Sequence, residues 1–374
     1  MRVAIVVPLI KKVHGNRLSF CLARGLARSN EVTVYAETAL DRLVPEVEKQ
    51  VAPAGFRALR TTSSPRSTNL ELLSHQLRRG PDRRLSDCLH ADHRTKPFDW
   101  VVVFANEGHW IASYVASWSE SNRPRTALAL LDPIEQIFLL ARDRPLPIAR
   151  QLLMPLYPVL HRIESQRIRR FDRVFPISRW VSELGSFLYG ITPADSLAAL
   201  DSDLFTPPAQ VDDSTPYVAV PTMSLRPSDG DLVRAVARGG IPLTTFGPKE
   251  VSGVPHRGFL PDRELVSFLA GARATLFLFD YEALGLLPLE SLAVGTPVVT
   301  LPSGGPFIEL RENPFVSFAN DVEGLTRLCN RFLREPRAVR DPDRIRASVR
   351  EYFASEVSVR WARSLERVAE RAKF

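Results

Sequence analysis

Short apolar runs and longer amphipathic stretches alternate along this chain. Runs of about four to eight residues rich in β-branched side chains and bounded by polar turns predict buried strands. They lie at 2–7, 31–36, 100–104, 126–131, 173–176, 217–220, 243–247 and 275–279. Leu18, Leu22 and Leu26 recur at helical spacing, which predicts a helix over 17–29. Strands that alternate with helices predict an α/β protein with parallel sheets.

The most informative stretch is 275–300, which reads TLFLFDYEALGLLPLESLAVGTPVVT. A buried strand is followed by a polar turn, and a helix is expected to begin near Leu287 or Pro288, because proline is tolerated in a first turn. Gly295 stands where that helix should end, and the next strand begins at Val298. The predicted order is therefore strand, loop, helix, strand, with the helix N-terminus at the carboxyl edge of a parallel sheet.

This arrangement has chemical consequences. The free amides around Gly285, Leu286 and Leu287 lie at the positive end of a helix dipole, which suits a phosphate or diphosphate. Glu282 before the helix and Glu290 within it can accept hydrogen bonds from sugar hydroxyls on either side of that phosphate. A ligand with hydroxyls on both sides of a diphosphate is a nucleotide sugar. Spacing alone favours the alternative interpretation, an ordinary strand–helix unit that carries two surface glutamates.

Composition narrows the classes of protein. A chain of 374 residues is natural for two domains, and 45% hydrophobic with 24% charged residues is typical of globular proteins. No apolar run approaches the roughly 20 residues that a membrane span needs, and the N-terminus reads as a strand rather than a signal peptide. Cys21, Cys88 and Cys329 match no metal or disulfide pattern. We therefore expect a reducing cytoplasm.

The motif in 275–300 resembles the donor-site signature of retaining GT-B glycosyltransferases, the large group 1, family 4-like class with two glutamates eight positions apart. The matching residues are Glu282, Gly285-Leu286, Glu290, Ser291, Ala293, Gly295 and Pro297-Val298-Val299. In that family the first glutamate contacts the donor sugar and the second contacts the ribose. The resemblance implies those roles for Glu282 and Glu290.

The resemblance also implies a domain organisation. Its fold is GT-B, with two doubly wound Rossmann-like domains that face a cleft and a C-terminal helix that crosses back. We expect an acceptor-binding domain over 1–205, a nucleotide-sugar-binding domain over 206–350, and a returning helix over 351–374.

Further donor contacts are expected in the second domain. Relatives hold the diphosphate with an Arg and a Lys about five residues apart, whereas Arg226 is the one cation in this loop and Ser228 or Asp229 stands near the Lys position. Lys249 is a candidate substitute. Leu260 is expected against the base. An altered donor site is equally consistent with the missing Lys.

The first domain supplies the remaining candidates. Gly15, in the loop after the first strand, is expected to contact the donor. His109 and Glu107 follow the strand 100–104, where polar groups face a ligand site, so they are acceptor-site candidates. Many relatives carry a histidine after the strand 126–131, whereas this chain has Asp132, which we consider a catalytic substitute.

The expected activity is a metal-independent hexosyl transfer from a UDP- or GDP-linked donor with retention of anomeric configuration, without a cofactor. A Rossmann G-x-G-x-x-G and a P-loop are absent from the sequence. Asp-x-Asp triplets at 201–203, 229–231 and 341–343 are interpreted as turn residues rather than metal ligands. The acceptor is a saccharide, a lipid-linked sugar or a small molecule.

Alternatives remain open. The protein could bind a nucleotide sugar without turnover, or it could be a nucleotide-sugar epimerase on the same fold. The basic segment 161–173 is either a solvated helix face or a site of peripheral membrane contact. Nucleic acid binding rests only on the net charge of +7 and is not expected.

Overall fold

The computed structural model describes residues 1–10, 16–38, 43–60, 83–104, 110–119, 121–131, 155, 157–211, 215–223, 225, 227–279, 282–335 and 340–371. The chain divides into two compact units. The first comprises Met1–Ala199 with Val357–Phe374, and the second comprises Leu200–Glu356.

The first unit is built on a six-stranded parallel sheet. Its strands are β1 (Arg2–Ile10), β2 (Glu31–Thr38), β3 (Gly55–Arg60), β4 (Trp100–Phe104), β5 (Arg125–Leu130) and β6 (Arg173–Pro176). The described helices of this unit that precede the second unit in the chain are α1 (Arg17–Leu26), α2 (Val44–Val51), α3 (Arg83–Thr95), α4 (Ile111–Ala116), α5 (Tyr157–Ile168) and α6 (Arg179–Tyr189). The spatial order β3-β2-β1-β4-β5-β6 matches the dinucleotide-fold order, which reverses between β1 and β4.

The centre of this sheet is apolar on both faces. Val3–Val6 of β1 and Val101–Val103 of β4 have no solvent exposure. Continuous Val- and Ile-rich runs are expected where helices cover both faces of a parallel sheet. These strands can therefore be recognised in the sequence although polar and apolar residues do not alternate along them.

The second unit has a five-stranded parallel sheet in the order β11-β10-β9-β7-β8. The strands are β7 (Val218–Pro221), β8 (Leu243–Phe246), β9 (Ala274–Phe277), β10 (Val298–Thr300) and β11 (Val316–Phe318). The helices are α7 (Pro227–Arg238), α8 (Asp262–Gly271), α9 (Leu286–Ala293), α10 (Gly304–Leu310), α11 (Val322–Arg334) and α12 (Pro342–Ala347). A 3-10 turn, Arg350–Tyr352, then leads into the last helix, α13 (Ala354–Arg371).

The strand order of this second sheet also reverses, here between β7 and β9. The chain moves from β7 to β8 on one side and then to β9 on the other. In open α/β sheets, ligands bind beside such a switch point at the carboxyl ends of the strands. The loops after β7, β8 and β9 are therefore the expected ligand-binding loops of this unit.

The C-terminal helix α13 belongs largely to the first unit, from Val357 onward. Trp361 is 1% exposed and packs edge-on against Phe104 of β4 and Phe175 of β6, with ring centroids 5.8 and 6.0 Å apart. Two parallel α/β sheets and a last helix that packs on the first of them confirm the predicted fold class. Among the described residues, no helix is both long enough and apolar enough to cross a membrane.

Candidate functional site

The N-terminus of α9 follows β9 at the switch point of the second sheet. The helix begins at Leu286, one residue earlier than the sequence indicated, and Gly285 is its N-cap with φ of 77°. A Cβ at Gly285 would lie 2.6 Å from Cγ of Pro306, so both the backbone and the packing require glycine here. The first turn of α9 contains no acidic residue. Its free amides and dipole are therefore available to an anion.

Glu282 lies just before this helix and is held through its backbone. Its carbonyl oxygen accepts a hydrogen bond from the Gly305 amide at 2.7 Å. A Cβ at Gly305 would lie only 2.0 Å from the Ala283 carbonyl oxygen, so the start of α10 approaches this loop as closely as a glycine allows. The Glu282 side chain is half-buried at the same place.

Glu290 occupies the interior of α9 and is only 4% exposed. This burial excludes the interpretation of Glu290 as an ordinary surface glutamate. Burying a carboxylate costs free energy unless polar partners compensate, so such a residue in an apolar helix needs a structural or functional reason.

Hydroxyl groups fix α9 against the neighbouring elements. The Ser291 and Thr275 hydroxyls lie 2.7 Å apart, and Ser291 also donates to the Thr296 carbonyl at 3.1 Å. Gly295, with φ of 83°, ends the helix, and a Cβ there would lie 2.5 Å from Cβ of Pro342. Several residues of the sequence motif therefore serve to place the helix rather than to contact a ligand.

Lys249 comes after β8 and reaches the loop after β7. Its ammonium group donates to the Leu225 carbonyl at 2.6 Å, and its amide donates to Oγ1 of Thr222 at 3.2 Å. Thr222 is fully buried and in turn donates to the Phe246 carbonyl at 3.0 Å. The structure thus brings Lys249 beside the loop that carries Arg226. Sequence analysis missed Thr222, because a lone threonine after a strand carries no motif signal.

Leu260 precedes α8 and lines a groove of about 990 Å³. Arg257, Arg263 and His256 line the same groove, as does Thr244 of β8. Among the described residues, those that line this groove do not include Glu282, Glu290 or Lys249. The role of Leu260 against a base stays a prediction.

Five candidate residues lie outside the described residues: Gly15, Glu107, His109, Asp132 and Arg226. Gly15 follows β1 and His109 follows β4, the two strands that flank the switch point of the first sheet. Their contacts, and the roles assigned to them, stay predictions.

The Asp-x-Asp triplets have structural partners. Asp341 caps α12 through the Arg344 amide at 3.0 Å, Asp201 accepts from the Leu204 amide at 3.4 Å, and Asp231 pairs with Arg234. Asp229 differs from the expected exposed turn residue, because it lies in the first turn of α7 and is 4% exposed. No group of metal-ligating side chains occurs among the residues that the structure describes.

Part of the second unit matches a known family. Residues 253–351 match the family described as Glycosyl transferases group 1, which confirms the resemblance found in the sequence. The matched segment contains Leu260, Glu282 and all of α9. No curated protein sequence matches the chain.

Solved structures resemble the chain over its whole length. Sucrose-phosphate synthase from Thermosynechococcus elongatus has a TM-score of 0.72 at 13% identity, with 99% of this chain and 100% of that chain covered. Anabaena HepE in complex with UDP and glucose has a TM-score of 0.67 at 14% identity, covering 98% and 100%. The lipopolysaccharide outer core galactosyltransferase WaaB, in its apo form, has 0.58 at 11%, covering 100% of both chains. At such low identity these similarities establish the GT-B fold and no more.

Proposed function

Because the chain has the GT-B fold and residues 253–351 match the group 1 glycosyl transferases, we propose that it transfers a sugar from a nucleotide-sugar donor to an acceptor hydroxyl. The transfer retains the anomeric configuration and needs neither a metal ion nor a cofactor. The donor is UDP- or GDP-linked. The neighbour HepE has been solved with UDP-glucose, which makes a UDP-linked hexose the first donor to test.

The arrangement around α9 is the observation that carries this proposal. A helix N-terminus without a first-turn acid stands at a switch point, with one glutamate on the loop before it and a buried glutamate inside the helix. The positive end of the helix attracts the diphosphate, and carboxylates accept hydrogen bonds from hydroxyls. Glu282 then holds the sugar and Glu290 holds the ribose.

The other donor contacts follow from the same assignment. Arg226 holds a phosphate through its planar guanidinium, supported by Lys249 from the loop after β8. Leu260 lies against the base, and Gly15 contacts the donor from the first unit. Residues 1–205 bind the acceptor and 206–350 bind the donor in this proposal.

Retention at the anomeric carbon requires no enzymic nucleophile here. The bond from the anomeric carbon to the diphosphate oxygen breaks, and the acceptor oxygen bonds to the same face of the sugar. The acceptor proton passes to the departing phosphate oxygen. The helix dipole and the cations stabilise the negative charge of the leaving diphosphate. Asp132 and His109 orient the acceptor hydroxyl.

The acceptor is a saccharide, a lipid-linked sugar or a small molecule. We propose a cytoplasmic location from the three widely spaced cysteines, with peripheral membrane contact through 161–173. This function does not involve binding to nucleic acid.

Titration of UDP and GDP by calorimetry, followed by assays with UDP- and GDP-hexoses, tests the proposal. Glu290→Gln should weaken nucleoside diphosphate binding about tenfold, which is the loss of one hydrogen bond to a charged group. Glu282→Gln should lower turnover more than nucleotide affinity. Glu48→Gln, an exposed glutamate of α2 in the first unit, is the matched control. Unchanged UDP affinity in Glu290→Gln would show that Glu290 does not hold the ribose.

Two further measurements address the finer points. NMR of the product should show the donor's anomeric configuration, and turnover should survive excess EDTA. A product of inverted configuration, or loss of activity that Mg²⁺ restores, contradicts the corresponding part of the proposal.

The second candidate function is binding of a nucleotide sugar without turnover. Where relatives carry the diphosphate-binding Lys, this chain has Ser228, which is exposed, and Asp229, which is buried. Tight UDP binding without donor hydrolysis or transfer in any acceptor pool would favour this candidate. A change in the free donor sugar without acceptor would instead favour an epimerase.

A further inference from the structure

Arg346, in α12, makes an unusual set of contacts. Its guanidinium donates to the carbonyl oxygens of Phe205, of Ala293 at 2.8 Å and of Ser202 at 2.9 Å. It also lies over the ring of Phe353, 4.7 Å from the centroid. One side chain thereby joins three segments that are distant in sequence.

Each of these segments has a distinct place in the second unit. Ala293 is the last residue of α9, the helix whose N-terminus forms the candidate donor site. Ser202 and Phe205 belong to the turn that follows the passage from the first unit at 199/200. Phe353 lies just before the return to the first unit at 356/357.

The two passages are also hydrogen-bonded to each other. Leu200 and Phe353 form a parallel bridge, in which the Leu200 amide donates to the Tyr352 carbonyl at 2.6 Å and the Ala354 amide donates to the Leu200 carbonyl at 2.9 Å. We call 200–205 and 352–354 the crossing segments. The chain passes between the units directly beside these segments, at 199/200 and at 356/357.

The position of α12 against α9 is fixed independently of Arg346. Asp341 caps α12, and Pro342 lies so close to Gly295 that a Cβ there would approach within 2.5 Å. Burial lowers the pKa of Arg346 from its ordinary value, while the charges of Asp203 and Asp343 oppose that shift. A guanidinium remains charged under such conditions. A cation at the last carbonyl of α9 also complements the negative end of the helix.

We propose that Arg346 is a positioning residue that couples the donor helix α9 to the crossing segments. A ligand bound at the N-terminus of α9 then affects the C-terminal end of this helix. The guanidinium transmits that effect to Ser202, Phe205 and Phe353. This inference rests on the proposed function, because it requires a nucleoside diphosphate at α9. Lysine offers one point charge instead of a planar fork and is unable to make all of these contacts at once.

Hydrogen–deuterium exchange with and without UDP tests the coupling. In the natural protein, UDP should slow exchange at 282–290 and also at the crossing segments. In Arg346→Lys, protection at 282–290 should persist, while the response at the crossing segments should fall by about tenfold, as expected for loss of a charge-assisted hydrogen bond. Arg344→Lys, two positions away on the exposed side of α12, is the matched control.

Turnover gives a second readout. Arg346→Lys should lower kcat with little change in the UDP dissociation constant, whereas a variant that only loosens the fold would lower the melting temperature and weaken both. Phe353→Leu keeps every backbone hydrogen bond but removes the ring under the guanidinium, and it should reproduce the effect in part.

The outcomes distinguish a failure of the proposed donor site from a failure of the proposed coupling. If UDP leaves 282–290 unprotected in the natural protein, the proposed donor site is wrong. If UDP protects 282–290 but leaves the crossing segments unchanged, or if Arg346→Lys responds like the natural protein, the coupling through Arg346 is wrong.

Discussion

Gly305 shows how one residue shapes the candidate site. Its amide holds the Glu282 carbonyl at 2.7 Å, and its missing side chain lets α10 approach the Ala283 carbonyl. This contact depends on two segments that are more than twenty residues apart in the sequence. A pairwise steric constraint of this kind is not visible in a local pattern.

We expect Gly305→Ala to destabilise the second unit by about 1–3 kcal/mol, because a methyl group overpacks the contact with Ala283. Thermal unfolding measures the effect. Gly230→Ala is the matched control, since its Cβ would meet only Nη1 of Arg234 at 3.8 Å. That helical replacement should instead stabilise the protein by about 0.5–1 kcal/mol. Equal melting temperatures for both variants would contradict the steric argument.

Lys249 supports a separate prediction. Its ammonium group fixes the loop after β7 through the Leu225 carbonyl, so Lys249→Met should weaken UDP binding about tenfold, in line with loss of one charge-assisted hydrogen bond. Calorimetry measures the affinity, and Lys49→Met in α2 of the first unit is the control. An unchanged dissociation constant would show that Lys249 has no part in holding the diphosphate.

At the scale of elements, the basic segment 161–173 runs from α5 to the first residue of β6. Arg169 donates to the Tyr189 carbonyl at 2.6 Å and Arg170 to the Ser113 hydroxyl at 2.8 Å, so part of the basic segment has structural partners. Arg162 is exposed on α5, and Phe187 on α6 is 86% exposed. Exposed basic and aromatic side chains are both used by protein surfaces that bind anionic membranes.

We expect the double variant Arg162→Glu/Phe187→Ser to lose binding to vesicles that contain anionic phospholipid, because each basic residue near such a surface contributes about 1 kcal/mol. Flotation with anionic and with zwitterionic vesicles measures the binding. The control is Arg327→Glu/Val359→Ser, which changes an exposed arginine of α11 and an exposed valine of α13. If the natural protein floats with neither type of vesicle, peripheral membrane contact through 161–173 is wrong.

At the scale of the whole molecule, the chain passes from one unit to the other and back. Trp361 near the C-terminus is buried against Phe104 and Phe175 of the first sheet, while the candidate donor residues Glu282 and Glu290 lie in the second unit. Trp361 and the two glutamates therefore lie in different units.

Trp361→Ala should destabilise the first unit by about 3–5 kcal/mol, the usual cost of emptying a large core position. UDP at a hundredfold excess over its dissociation constant should stabilise the second unit by about 2.7 kcal/mol. Calorimetric scans should show that the variant shifts one transition and UDP shifts the other. A single transition that both changes move together would contradict this separation.

The sequence determined the described strands other than β3 and β11, the parallel α/β class and the position of α9, because these depend on local runs of apolar residues and on glycine and proline at fixed offsets. The start of α9 was displaced by one residue, since Gly285 in a left-handed conformation can cap a helix directly. The sequence also supplied both glutamates through a long motif.

Only the tertiary structure decided which of those residues are buried and what holds them. The burial of Glu290, the packing of Gly285 against Pro306, the reach of Lys249 to Leu225 and the contacts of Arg346 all join segments that are far apart along the chain. Such contacts depend on strand order and on helix packing, which bring distant residues together. A local pattern of hydrophobic and polar positions contains no record of those distances.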